Sequence, residues 1–231
     1  MRAVFCGIAK NVANVVRHSI TYVEEAAKLF SDYKVVIYEN DSTDGTLDIL
    51  LEWQKNNENV VIISEILNAP PQRDLNIMAY ARNKYLDYVK KYYNDYDILI
   101  VFDMDFIHPW DYDGIRESLD YIDLWNSVCS YGVFNSNDLR LYDAFAYIDY
   151  DGALNANHPN YWTEYVPSVQ ISYPDNILKP VLSCFGGLAI YKIKELMSCD
   201  YKSVLNGCEH IPFNLCVGNM YMNTNQKIFY W

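Results

Sequence analysis

Apolar and polar residues alternate in blocks along the first hundred residues of the chain. Short runs of β-branched and aromatic residues predict strands, and longer stretches with an apolar residue every three or four positions predict amphipathic helices. Strands that alternate with helices are typical of an α/β protein with a parallel sheet. The predicted strands are 3–8, 34–38, 60–64 and 98–102, and the predicted helices are 15–30, 47–54 and 74–93.

The pattern changes after residue 106. A helix is predicted over 112–125, and strands over 127–134 and 181–191. The stretch between these strands, 135–180, is irregular and rich in Asn, Asp, Tyr and Pro. A loop region of that length in a compact domain usually serves a function. Nothing in the pattern indicates a linker, so we expect a single α/β domain.

Two carboxylates follow the most apolar of the predicted strands, because Ile-Leu-Ile-Val-Phe at 98–102 runs directly into Asp103-Met104-Asp105. Such a run is typical of a strand buried on both faces, and open α/β sheets bind ligands at the carboxyl ends of their strands. Residues i and i+2 of an extended chain point the same way, so Asp103 and Asp105 can bind one divalent cation. Asp-x-Asp also occurs at three other places, and a solvated turn is an equal alternative.

The segment 39–46 follows the second predicted strand and opens a helix. Ser42, Thr43 and Asp44 are residue types that cap helices, and capping explains them. Capping does not explain Glu39 at the carboxyl end of the strand. A carboxylate at that place can accept hydrogen bonds from a ribose or a base edge.

Arg82 falls among apolar residues on the inward side of the predicted helix 74–93. An unpaired guanidinium in a core-facing position would be very costly, so Arg82 must meet a carboxylate or a phosphate. Two alternatives are equally good at this point. Arg82 forms a structural ion pair with Asp103 or Glu39, or it contacts a bound ligand.

Two further groups of residues lie in the second half of the chain. Gly186 and Gly187 interrupt the predicted strand 181–191, which marks a bulge or a close approach of the backbone to a ligand. Cys208-Glu209-His210 places an acid beside a histidine, a combination that can supply a base and a metal ligand. A Glu that merely caps a helix is the alternative.

The formal net charge of −12 argues against a nucleic-acid partner, which would require a basic face, and against adsorption to anionic membranes. No segment resembles a signal peptide or reaches the roughly 20 apolar residues of a membrane span. We therefore expect a cytoplasmic location. Cys6, Cys129 and Cys184 lie in apolar runs, which indicates reduced core thiols. Pairing among Cys184, Cys199, Cys208 and Cys216 stays open for an oxidising compartment, but the reduced state is our expectation.

Taken in this order, the segments resemble the glycosyltransferases of GT-A fold. The likeness covers roughly residues 3 to 215 and is carried by Val-Phe-Cys-Gly-Ile-Ala-Lys-Asn at 4–11, Tyr-Glu-Asn-Asp-Ser-Thr-Asp-Gly-Thr at 38–46, Arg82-Asn83 and Phe-Asp-Met-Asp at 102–105. The later Cys-Phe-Gly-Gly-Leu-Ala-Ile-Tyr at 184–191 and Cys-Glu-His at 208–210 look like the fungal capsule-associated mannosyltransferase family.

The resemblance implies a GT-A, Rossmann-like single domain over 1–231, with a mostly parallel central sheet flanked by helices. Residues 1–110 would bind a nucleotide sugar, and residues 111–231 would bind the acceptor. The implied activity is that of a metal-dependent glycosyltransferase, more narrowly a hexosyltransferase similar to the mannosyltransferases. It would move a sugar from a UDP- or GDP-sugar to a glycan or another hydroxyl acceptor, with Mn²⁺ or Mg²⁺ as cofactor.

The resemblance also implies roles for individual residues. Asp103 would contact the ribose or the metal through water, Asp105 would bind the metal directly, and His210 would complete the metal sphere. Glu209 would be the general base of an inverting reaction, or would orient donor or acceptor in a retaining one. The remaining donor-binding residues would be Ala9, Asn11, Glu39, Asn40, Arg82, Gly186 and Gly187.

Two other functions fit the same fold class. A sugar-nucleotide pyrophosphorylase is expected to carry a glycine- and Lys/Arg-rich phosphate loop after the first strand, and Gly-Ile-Ala-Lys-Asn at 7–11 matches that pattern poorly. A non-catalytic carbohydrate-binding module would keep the fold without turnover.

Overall fold

The computed structural model describes residues 1–69, 74–135, 138–150, 178–204 and 208–230. The first half alternates strands and helices as the sequence predicts, with boundaries that differ by at most three residues. The strands are β1 (Arg2–Ala9), β2 (Asp32–Asn40), β3 (Val60–Glu65) and β4 (Ile98–Asp103). The helices are α1 (Val16–Ala27), α2 (Thr46–Asn56) and α3 (Leu75–Tyr92).

The second half contributes shorter helices and six strands to the described part of the chain. The helices are α4 (Tyr112–Asp120), α5 (Ile193–Leu196) and α6 (His210–Val217), with 3-10 turns at Ile122–Leu124 and Ala144–Ala146. The strands are β5 (Ser127–Asn135), β6 (Asp138–Leu141), β7 (Ile148–Asp149), β8 (Leu178–Ser183), β9 (Leu188–Lys192) and β10 (Met220–Phe229).

One continuous sheet includes strands from both halves, in the order β3-β2-β1-β4-β9-β5-β10-β8-β7, with β6 paired to β5. The block β3-β2-β1-β4 is parallel throughout, and β10 pairs with β5 in parallel. Strand β9 is antiparallel to both of its neighbours, β4 and β5. The predicted α/β class with flanking helices is confirmed, and the parallel block carries the carboxyl-terminal strand ends where a ligand site was expected.

Strands β1 and β4, which pair with each other in the middle of the sheet, are buried on both faces. Successive residues of β4 belong to different core clusters: Leu99 and Val101 pack on the side that includes α3, and Ile98 and Ile100 pack on the side that includes α1 and α2. This confirms that the apolar run at 98–102 is a strand buried on both faces. A strand held on both faces and at both edges is a rigid support for the residues that follow it.

The structure corrects the prediction of one strand over 181–191. Strands β8 and β9 occupy this region, and Gly186 and Gly187 separate them in left-handed conformations with φ of +60° and +84°. Strand β10 was not predicted, because its buried Asn223, Thr224 and Gln226 break the apolar pattern. Of the irregular stretch 135–180, residues 151–177 lie outside the described part of the chain.

The expectation of reduced cysteines was wrong for four of the six. Cys129 pairs with Cys184 and Cys199 pairs with Cys216, with Cα–Cα distances of 6.0 and 5.7 Å that suit a disulfide. Cys6 and Cys208 are buried free thiols. Disulfides are typical of proteins kept in oxidising surroundings, which weighs against the cytoplasmic expectation. Among the described helices, none is both long and apolar enough to cross a membrane.

Candidate functional site

A pocket of about 500 Å³ opens at the carboxyl ends of β1, β2 and β4. Helix α3 contributes to the lining, and so do the segments around Tyr142, Phe185 and Glu209. The pocket therefore lies at the sheet edge that the sequence predicts. Seven of the predicted site residues line it: Ala9, Asn40, Arg82, Asp103, Asp105, Glu209 and His210.

Asp103 ends β4 and is held from three sides. Its backbone N–H donates to the carbonyl of Gly187 at 3.0 Å, and its Oδ2 accepts a hydrogen bond from the Tyr230 hydroxyl at 2.8 Å. Its Oδ1 lies 3.7 Å from Nη2 of Arg82. Burial, followed by the nearby charge of Asp105, raises the pKa of Asp103 to about 7, against the lowering effects of Arg82 and Tyr230.

Asp105, two residues further on, also faces the pocket but is exposed. Partial desolvation by the surrounding protein raises the pKa of its carboxyl. It forms no ion pair with any residue in the described part of the chain. Of the two carboxylates in the predicted pair, that of Asp105 is therefore the more accessible to a cation.

Arg82 does meet carboxylates, as its inward position on α3 requires, but the nearest one is neither Asp103 nor Glu39. Its Nε donates to Oε1 of Glu209 at 2.8 Å, and both side chains are at most 2% exposed. Asp103 is the more distant second partner. The guanidinium also lies over the ring of Phe185, 5.3 Å from its centroid. Arg82 therefore provides a fixed positive charge at the back of the pocket.

The environment of Glu209 favours its charged form, and its role as a general base or as an orienting residue stays a prediction. Burial alone would raise its pKa, but the charges of Arg82 and His210 outweigh burial and lower the pKa to about 2. A carboxylate with so low a pKa takes up protons poorly near neutral pH. The buried pair with Arg82 fits the orienting role that was the other alternative.

His210 begins α6 and lies against Phe185, with ring centroids 3.8 Å apart and planes inclined by 17°. Its Nε2 is 3.9 Å from Oε1 of Glu209. Among the described residues, His210 forms a cluster of possible metal ligands with Cys208 and Glu209, whose ligand atoms lie within 4.8 Å of one another. Binding of one cation by Asp103, Asp105 and His210 together stays a prediction.

The segment 39–46 is held mainly by its own hydrogen bonds. Glu39 is 2% exposed, and its carboxylate accepts bonds from the Ser42 backbone N–H at 2.9 Å and from the Ser64 hydroxyl at 2.7 Å. Asn11 adopts a left-handed conformation, and its side chain accepts a bond from the Thr43 backbone N–H at 2.8 Å. Neither Glu39 nor Asn11 is among the residues that line the pocket, so their contact with a donor stays a prediction.

Gly186 and Gly187 approach other parts of the protein closely. A Cβ atom on Gly186 would collide with the carbonyl of Ser130, and one on Gly187 would collide with the hydroxyl of Tyr230. Both positions also have positive φ, which favours glycine. Packing within the protein explains both glycines, and direct contact with a ligand stays a prediction.

Tyr230, Tyr142 and Asp143 extend the site beyond the residues predicted to form it. Tyr230 reaches Asp103 from the end of β10, and its ring stacks on that of Tyr142 with a centroid distance of 3.2 Å. Tyr142 and Asp143 line the pocket, and Asp143 has a left-handed backbone with φ of +59°. No local signal identifies Tyr230, because its partner is 127 positions away in the chain.

The described lining of the pocket is strongly acidic. Five carboxylates face only two side chains that carry a fixed positive charge, Lys10 and Arg82. The acidic residues are Asp74, Asp103, Asp105, Asp143 and Glu209.

The residues present fit a divalent cation at Asp103 and Asp105. Carboxylate oxygens are hard ligands of the kind that Mg²⁺ and Mn²⁺ accept. Neither carboxylate is closed off by a short ion pair, since Arg82 is 3.7 Å from Asp103. Mutual repulsion contributes to the raised pKa of Asp103, and a bound cation would relieve it.

No protein-family model and no curated protein sequence matches the chain. Its structure is similar to that of S. aureus TarS 1–349, with a TM-score of 0.59 and 14% sequence identity over 99% of this chain and 60% of TarS 1–349. It is similar to the mannosyltransferase PcManGT from Pyrobaculum calidifontis in complex with GDP-Man and Mn²⁺, with a TM-score of 0.58 and 14% identity, over 99% of this chain and 56% of PcManGT.

A third similar structure is glucosyl-3-phosphoglycerate synthase from Mycobacterium tuberculosis in complex with UDP. The TM-score is 0.56 and the identity is 13%, over 98% of this chain and 70% of the synthase. The chain therefore spans a little more than half the length of TarS 1–349 and of PcManGT. At such low identities the likeness establishes the fold, and this fold is shared across almost the whole chain.

Proposed function

We propose that this chain, which has the GT-A fold, is a metal-dependent glycosyltransferase. It transfers a sugar from a nucleotide-diphosphate sugar to a hydroxyl group of a glycan or another acceptor. The expected donor is a UDP- or GDP-sugar, and the expected cation is Mn²⁺ or Mg²⁺. Similar structures containing UDP, UDP-GlcNAc, or GDP-Man with Mn²⁺ support this choice of ligands.

The acidic lining of the pocket is the observation that carries the proposal. A diphosphate would be repelled by five carboxylates that are opposed by only two fixed cations. A divalent cation bound by Asp103 and Asp105 would offset the negative charge of the pocket and would provide a positive charge for the phosphates to bind. The site thus suits a diphosphate together with a cation better than a free anion.

When bound, the cation would stabilise the negative charge that develops on the departing nucleotide diphosphate. Arg82 contributes a second, permanent positive charge, which the buried Glu209 holds in one orientation. Ala9 and Asn40 form the wall at the ends of β1 and β2, where the nucleoside is expected to lie. Tyr142 and Asp143 lie on the side contributed by the second half, where we place the acceptor.

The two alternative functions receive less support from the site. A pyrophosphorylase requires a cationic phosphate loop after the first strand, whereas Lys10 is the single basic residue of the segment 7–11. A carbohydrate-binding module requires no cluster of carboxylates at the end of a buried strand. Such a module would, however, also bind a glycan, so binding of nucleotide must be measured directly.

The test is a thermal-shift assay of the chain with UDP, GDP and their sugar conjugates, with and without Mn²⁺. A ligand that binds only the folded state at one hundred times its dissociation constant stabilises the protein by about 2.7 kcal/mol. We expect a stabilisation by nucleotide that requires Mn²⁺ and is lost in Asp105→Asn. Absence of a metal-dependent shift with every nucleotide would contradict the proposal.

Asp113→Asn is a matched control, since Asp113 belongs to another Asp-x-Asp pair and its side chain is 90% exposed. This variant should keep the full nucleotide response. Release of nucleotide diphosphate from the stabilising sugar conjugate then distinguishes a transferase from a binding module. A module that retains glycan affinity in Asp105→Asn and releases no nucleotide would replace our proposal.

A further inference from the structure

We infer that Tyr230 is a positioning residue, which fixes the orientation of the Asp103 carboxylate toward the cation site. This inference rests on the proposed function and adds a residue to it. Tyr230 follows β10, far from the donor-binding half in sequence, yet its hydroxyl donates to Oδ2 of Asp103 at 2.8 Å.

The contacts of Asp103 make its two carboxylate oxygens different from each other. Oδ2 is occupied by the Tyr230 hydroxyl, while among the described residues Oδ1 has only the more distant guanidinium of Arg82 at 3.7 Å. The backbone is anchored separately, because the Asp103 N–H donates to the Gly187 carbonyl. With the main chain fixed and one oxygen held, rotation of the carboxylate is restricted and Oδ1 is left for a ligand.

Tyr230 is itself held firmly, which it must be in order to orient another group. It is only 7% exposed. Its ring stacks on Tyr142 at 3.2 Å between centroids and packs against Phe106 at 5.2 Å. Its backbone N–H donates to the Val133 carbonyl at 3.2 Å. The hydroxyl therefore reaches Asp103 from a side chain with little freedom to move.

Gly187 supplies the space that this arrangement needs. A Cβ atom at position 187 would collide with both the hydroxyl and the ring of Tyr230. The same glycine accepts the hydrogen bond from the Asp103 backbone. One residue thus places the main chain of Asp103 and leaves room for the hydroxyl that orients its side chain.

Hydrogen bonds to ligating carboxylates contribute to metal affinity, and their removal typically costs about 10- to 100-fold. We therefore expect Tyr230→Phe to weaken Mn²⁺ binding by about 10-fold or more. The ring and its stacking on Tyr142 are retained in this variant. The melting temperature of the metal-free protein should consequently stay within about 2 °C of the wild type, since only one partly exposed hydrogen bond is lost.

The experiment measures the dissociation constant of Mn²⁺ in the presence of UDP or GDP, by electron paramagnetic resonance of the free ion, for wild type and Tyr230→Phe. Tyr221→Phe is the matched control, because Tyr221 lies on β10 and its hydroxyl bonds to none of the described residues. This control should bind Mn²⁺ like the wild type. With the sugar donor that is turned over, Tyr230→Phe should require at least 10-fold more Mn²⁺ for half-maximal rate, while kcat at saturating Mn²⁺ recovers to within about threefold.

The outcomes separate this inference from the proposed function. If the wild type binds no Mn²⁺ with either nucleotide, the proposed function fails and the inference fails with it. If the wild type binds Mn²⁺ and Tyr230→Phe binds it equally well, only the role of Tyr230 is overturned. An equal loss of affinity in Tyr221→Phe, or a lower melting temperature of metal-free Tyr230→Phe that accounts for the loss, would also overturn it.

Discussion

The buried ion pair between Arg82 and Glu209 makes a strong prediction about stability. Replacing Arg82 with Met removes the positive charge and keeps an unbranched apolar side chain of similar length. Glu209, which is 0% exposed, then lies in the core without its closest partner at 2.8 Å. Breaking a buried pair by removing one member typically costs about 3–5 kcal/mol, because the remaining charge is left uncompensated.

The pKa of Glu209 leads to a similar magnitude. Its value of about 2, against an ordinary 4.5, corresponds to about 3 kcal/mol at about 1.36 kcal/mol per pH unit. Because the folded-state pKa is lowered, this stabilisation is present above about pH 4.5 and is lost as the pH falls toward 2. We expect Arg82→Met to lower the free energy of unfolding at pH 7 by about 3–5 kcal/mol and to remove this acid-dependent loss.

Urea unfolding, monitored by circular dichroism, measures the effect in a double-mutant cycle. Glu209→Gln alone should also destabilise, since Arg82 is left with Asp103 at 3.7 Å. The combination Arg82→Met/Glu209→Gln removes both members of the closest buried pair and should recover most of the loss. A cost below about 1 kcal/mol for Arg82→Met, or additive single effects, would refute the reasoning.

Three further predictions concern individual contacts. In EDTA, the raised pKa of Asp103 should make the free energy of unfolding fall by about 2–3 kcal/mol between pH 5 and pH 8, because the folded state binds an extra proton at low pH. Urea titrations should show that Asp103→Asn lacks this fall. A variant with the same pH profile as the wild type would contradict the assignment to Asp103. Replacing Cys129 and Cys184 together with Ala should cost about 2–5 kcal/mol in the same assay, and a variant as stable as the wild type would show that the disulfide contributes nothing. Gly187→Ala should cost about 1–3 kcal/mol, from its φ of +84° and the collision with Tyr230, whereas a loss under about 0.5 kcal/mol would mean that neither matters.

The donor-side half of the fold could be predicted because its signals are local. Buried parallel strands are apolar runs and amphipathic helices repeat every three to four residues, so β1 to β4 and α1 to α3 follow from the pattern. The placement of Asp103 and Asp105 in the pocket could also be predicted, because both residues follow the carboxyl end of a buried strand. The need of Arg82 for a carboxylate also follows, from its position among apolar neighbours on α3.

The remaining features depend on contacts between distant segments. Arg82 pairs with Glu209 and not with Glu39. The Glu39 carboxylate already accepts hydrogen bonds from the Ser42 backbone and the Ser64 hydroxyl. The prediction missed β10 because its buried polar residues form hydrogen bonds with other buried side chains. In the sequence alone such residues cannot be told from surface residues. Tyr230 could not be identified as part of the site for the same reason, since its relation to Asp103 exists only in the folded sheet.

The antiparallel strand β9 has a consequence for how the protein is made. Because β9 pairs with β4, the edge of β4 stays uncovered on the ribosome until residues 188–192 have been synthesised, after the whole segment 104–187. An exposed apolar strand edge is a template for pairing with other chains. We therefore expect that substitutions which slow the pairing of β9 with β4 lower the yield of native protein before they affect its final stability.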